Sequence, residues 1–216
     1  VVRRHLPLVL ISFLLAGCFA TQRVDSTLKS AVANQDATEL ADALEQLIED
    51  GRDTRSDREY AHYKIQAWRD GTAAYSFARA LIAARLAEQR GVTGLEQVKE
   101  AERYALRSIS ISPTFSDGAA RRLLGSLYVM AGQYTRQGDS EAGLAMLEDL
   151  AAQFPDSVRN HLRLAEAYIV LGDVDSSIEP LCQARGGEES LKGSERDLLV
   201  RLVADAGGEA SLSCGG

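Results

Sequence analysis

Apolar residues recur along this chain at helical spacing, in stripes that glycine and proline interrupt. The clearest stretch is 156–184. After Pro155, Asp156 reads as a helix N-cap, and Leu162, Leu164, Ala165, Tyr168, Ile169 and Leu171 form one stripe. Gly172 ends it and Asp173 opens a new cap, followed by a second stripe at Ile178, Leu181, Cys182 and Ala184. This is the pattern of a helical hairpin. Pro180 falls inside the second helix, where the missing N–H costs about 3 kcal/mol, so a kink or a start delayed to near Ser177 is expected.

The same reading predicts helices over 38–50 (Leu40, Leu44, Leu47, Ile48), 59–70 (Tyr60, Tyr63, Ile65, Trp68), 72–90 and 95–111, with 52–58 a charged turn. The helix over 72–90 carries small residues along one face, which implies close contact with its neighbours. A longer helix, 117–137, either runs through or breaks near Gly132. The last helix, 194–206, opens with a capping box of Ser194 and Asp197 and carries Leu198, Leu199, Leu202 and Val203. Residues 21–37 are polar and read as a tether.

The hairpin contains His161-x2-Leu164-Ala165-x2-Tyr168 and Ser177-x3-Leu181. One period upstream, Gly138-Asp139 matches Gly172-Asp173, Gly143-x3-Leu147 matches Ser177-x3-Leu181, and Pro155 closes the unit. Before it, two frames compete: Arg121-x2-Leu124-Gly125-x2-Tyr128, and Leu127-x2-Met130-Ala131-x2-Tyr134. Ala101-x3-Ala105 with Pro113 marks a third unit. These spacings resemble the tetratricopeptide repeat (TPR). The resemblance implies an all-α, TPR-like helical-hairpin solenoid of about four hairpins plus a C-terminal capping helix, over 38–216. It also implies a concave partner-binding groove, which carries over to Arg122, Ser126, Val129 and Met130, and to Arg159, Leu162, Glu166, Ile169 and Val170. Arg79 and Arg85 would add positive charge to it. The competing reading of these charged residues is solvated helix faces and local ion pairs.

At 216 residues, 45% hydrophobic and 25% charged, the chain is long enough for one elongated helical domain. Its first residues bear Arg3, Arg4 and His5 before an apolar run too short to span a bilayer, and then Leu15-Ala16-Gly17-Cys18. Those four residues are similar to the bacterial lipoprotein box. The similarity implies a signal peptide over 1–17, diacylglyceryl attachment at Cys18, a lipidated tether over 18–37, and membrane attachment through that anchor. Phe19 rather than aspartate after the cysteine favours the periplasmic face of the outer membrane. Val1 is consistent with a non-standard start codon. Loss of Arg3 and Arg4 with the leader takes the formal charge from −7 to −9, which gives no electrostatic reason to bind nucleic acid.

Cys182 and Cys214 remain after lipidation. In an oxidising compartment they pair as a disulfide, or else Cys182 is a buried small residue and Cys214 a free thiol. Outside the leader, His62 and His161 stand far apart, without companions at metal-ligand spacing, and no catalytic motif is present. The expectation is a non-enzyme with no cofactor and no metal. Two roles stay open. One is an adaptor that binds another envelope protein or peptide, its acidic surface suiting basic partners at the groove rim. The other is an accessory lipoprotein similar to the T component of TRAP (tripartite ATP-independent periplasmic) transporters, which would need an apolar channel lined by Val129, Met130, Ile169 and Val170.

Overall fold

The computed structural model describes residues 23–212 and Cys214. The expectations for Leu15, Ala16, Gly17 and Cys18 lie outside the described residues. Among those described there are ten α-helices and no strand. The first, α1 (Ser26–Asn34), lies within the stretch expected to be a tether. It is a helix because Asp25 caps it, accepting from the Thr27 N–H, and because Leu28 and Ala31, one turn apart, are fully buried. The part of the 18–37 tether from Ser26 onward therefore belongs to the folded domain.

Three hairpins follow as expected, after a looser first one. Helix α2 (Ala37–Glu49) and α3 (Arg55–Gln66) pack with α1 against α4. Helix α3 begins inside the stretch read as a charged turn, because Thr54 and Asp57 form a reciprocal capping box. Helices α4 (Ala73–Arg90) and α5 (Leu95–Ile111) form the second hairpin. Helices α6 (Phe115–Ala131) and α7 (Ser140–Gln153) form the third, and α8 (Val158–Val170) and α9 (Val174–Gly186) the fourth. Helix α10 (Gly193–Asp205) covers α8 and α9 through Leu198, Leu199, Leu202 and Val203. The core is accordingly a chain of small clusters at successive interfaces, as in a solenoid.

Several local expectations are revised. Ser157, not Asp156, is the residue before α8. Helix α9 is not shortened: it starts at Val174 and runs through Pro180. The carbonyl that loses its partner belongs to Ser176, which is exposed, so water can serve it, while the Pro180 ring is buried. The box at α10 is made by Glu195, which accepts from the Lys192 N–H at 2.9 Å, while the Ser194 N–H donates to Glu49 at 2.7 Å. Of the two frames in α6, the Leu124-Gly125-Tyr128 one faces inward. Leu124 and Tyr128 are buried, and Gly125 lies directly against Gly143 of α7. Helix α6 breaks into a 3-10 turn at Gly132–Tyr134, as anticipated. Its first turn is broken too, by left-handed Ser116, Asp117 and Gly118.

A buried polar cluster ties the first two hairpins together. Glu100 of α5 accepts from Arg79 of α4 at 2.7 and 2.8 Å and from Gln66 of α3 at 3.0 Å, and lies 2.9 Å from His62 Nε2. Arg79 also donates to the Tyr75 hydroxyl and lies 4.0 Å over the Tyr104 ring. Burial pushes the Glu100 carboxyl up, but the His62 and Arg79 contacts outweigh it and bring it down to about 2.

Candidate functional site

Helices α6 and α8 run side by side, each the first helix of its hairpin. Between them lies Asn160, fully buried, with its amide nitrogen and its oxygen both engaged. Its amide nitrogen donates to the Asp117 carbonyl at 3.2 Å, which holds the left-handed turn at the start of α6. Its oxygen accepts from Arg122 Nη1 at 2.7 Å. Arg122 is half-buried and, among the described residues, makes no ion pair. Burial first, and then the neighbouring Arg159, pull its guanidinium down to about 10, with Arg163 adding to the effect and Glu195 and Asp117 opposing it. One turn further along α6, the buried Ser126 hydroxyl has no hydrogen-bond partner among the described residues.

The neighbouring cations are spent. Arg159 pairs with Glu195 of α10 at 3.0 Å, and Arg163 with Glu166 at 2.7 Å. The arrangement leaves one guanidinium, set between two others, directed at a polar floor. A half-buried positive charge with no carboxylate directly paired to it is complementary to an anionic group delivered from outside.

The residues predicted for the groove divide. Arg122 and Arg159 are close neighbours across α6 and α8, Glu166 pairs with the adjacent Arg163, Ser126 stands one turn along α6 from Arg122, and Met130 and Val170 are exposed. Leu162 is not part of the groove: it is 1% exposed, in the core shared by α8, α9 and α10. Val129 packs against Leu147, Ala151 and Leu164, and Ile169 packs into the α8–α10 core. These two are interior filling, and the four residues named for an apolar channel do not line one.

Arg79 and Arg85 leave the groove as well. Arg79 is consumed by Glu100, and Arg85 forms a two-pronged pair with Glu45 of α2 at 2.7 Å on both oxygens. His161 is half-buried, its Nε2 2.7 Å from the Pro155 carbonyl. The sequence reading missed Asn160, Arg163 and Glu195. Asn160 carried a signal, a polar residue on the buried stripe of a helix. Cys182 and Cys214 are joined as a disulfide, their Cα atoms 5.3 Å apart, which fastens the C-terminal segment to α9. Among the described residues no cluster of His, Cys, Asp and Glu is arranged to hold a metal, and no helix is long and apolar enough to cross a membrane.

Helical hairpins stacked one on the next define a helical-repeat fold. Residues 134–181, spanning α7, α8 and most of α9, match the tetratricopeptide repeat family model, and the chain is a TPR-like all-α protein. No curated protein matches it. Such repeats generally mediate binding to other proteins, and the match over 134–181 suggests an interaction role for this stretch.

Proposed function

We propose that this chain is a non-enzymatic adaptor, is anchored through a lipid on Cys18 at the periplasmic face of the outer membrane, and holds an envelope partner by an acidic group seated on Arg122. The single observation that carries the reading is the half-buried Arg122 guanidinium without a carboxylate, flanked by Arg159 and Arg163. The overall acidity of the chain pointed to basic partners; the α6–α8 face points the other way, toward an acidic segment. The lipoprotein box at Leu15-Ala16-Gly17-Cys18 and the Cys182–Cys214 disulfide support an exported, oxidising location. The packed positions of Val129 and Ile169 favour an adaptor over a carrier of hydrophobic ligands.

Two experiments test this. In affinity capture from an envelope extract, Arg122→Gln keeps a donor toward Asn160 and removes the charge. It is expected to lose about tenfold or more of the partner held by the wild type, with no fall in melting temperature. Undiminished capture removes the site. Separately, cells producing the chain are expected to incorporate labelled palmitate, and to lose all of it with Cys18→Ala; an unlabelled wild-type protein removes the anchor.

A further inference from the structure

A second site lies away from the α6–α8 face, where α5 meets the turn that follows α6. Lys99, Glu102, Arg103, Leu106, Arg107, Ser110, Arg136 and Gln137 line a cavity of about 440 Å³. Lys99, Arg103 and Arg107 recur every four residues along one side of α5, about 6 Å per step, and Arg136 comes from the turn. The turn is pinned in place by buried Glu102. Its carboxylate accepts from the Arg136 N–H at 2.9 Å, the Gln137 N–H at 2.8 Å and the Tyr128 hydroxyl at 3.2 Å. That carboxylate is therefore occupied, and among the described residues Arg103, Arg107 and Arg136 form no direct ion pair, although Arg136 and Arg103 lie near enough to the Glu96 carboxylate to help hold it down. Lys99 alone is paired, at 2.8 Å to the exposed Glu96. Four cations against one lining acid make this a basic pocket on a chain of net charge −7.

We infer that this pocket binds a ligand bearing more than one phosphate group. The cations approach from two elements, not from one plane. A tetrahedral phosphate can accept from several directions at once, whereas a carboxylate accepts in its own plane. The 6 Å steps along α5 and the volume suit a chain of such groups better than one.

The test is titration of the purified full chain with tripolyphosphate, together with co-sedimentation on cardiolipin vesicles, whose headgroup bears two phosphates, or on phosphatidylcholine vesicles. Both are done in the Cys18→Ala background, so that no acyl chain contributes. Arg103→Glu/Arg107→Glu is compared with the charge-matched Arg196→Glu/Arg201→Glu, which alters exposed residues of α10. Saturable binding weakened about tenfold or more by the first pair and unchanged by the second supports the site. Binding of tripolyphosphate alone identifies a soluble phosphate ligand, and binding of cardiolipin vesicles alone a lipid headgroup with two phosphates. The inference falls if neither binds, if both pairs of substitutions act equally, or if polyglutamate binds as tightly as tripolyphosphate. None of these outcomes depends on Arg122.

Discussion

Replacing Glu100 by glutamine is expected to lower the free energy of unfolding by about 3 to 5 kcal/mol, read by urea denaturation at neutral pH. The variant leaves the Arg79 guanidinium buried with no carboxylate to meet it, and weakens the join between α3, α4 and α5 at one point. A loss under about 1 kcal/mol would mean that the cluster is bystander packing. Arg79→Met combined with Glu100→Leu should be less damaging than either single change, because it removes both charges together. The pH dependence follows from the depressed carboxyl. Its folded value of about 2 lies below the ordinary 4.5, so its stabilisation is complete above pH 4.5 and is lost as pH falls toward 2. That interval should remove about 3 kcal/mol from the wild type. The Glu100→Gln variant should lack this component; an unchanged acid slope would overturn the assignment.

Gly143→Ala should destabilise the protein by about 2 kcal/mol, although the same change in an exposed helix gains about 1 kcal/mol. A Cβ there would stand 2.7 Å from the Gly125 carbonyl oxygen and 2.9 Å from the Val129 nitrogen. Both are backbone, so α6 and α7 would have to part. Gly125→Ala is the control on the same interface: its Cβ would first meet the Leu147 side chain, which can rotate, so its cost should be smaller. Thermal melts of the two variants decide it, and an equal or reversed order would refute the close-approach account.

The third and fourth hairpins were the most legible in the sequence because each is written twice, once as a stripe and once as a Gly-Asp stop, at 138–139 and 172–173. Helix α1 was not, since only Leu28 and Ala31 of its nine residues are buried, too few to form a stripe. Pro180 misled for a related reason: the penalty it signals falls on Ser176, which stands in solvent. The site was legible only in part. Arg79, Arg85 and Arg122 look alike locally, and what separates them is whether a carboxylate stands opposite. Glu100 answers Arg79 from 21 residues away and Glu45 answers Arg85 from 40, while Asn160 answers Arg122 from 38 with no charge. Those distances in sequence are set by hairpin stacking, which no periodicity along one helix records.

The bond from Ser194 to Glu49 joins residues 145 apart in the chain. It hooks the end of the second helix to the start of the last one. A stack of hairpins with free ends behaves as a spring, able to lengthen or tighten its coil as a partner enters. With its first and last turns latched, this one can stretch only by releasing that contact. Because that contact is a single exposed hydrogen bond to a carboxylate, worth at most about 1 to 3 kcal/mol, it biases the curvature of the free protein without fixing it.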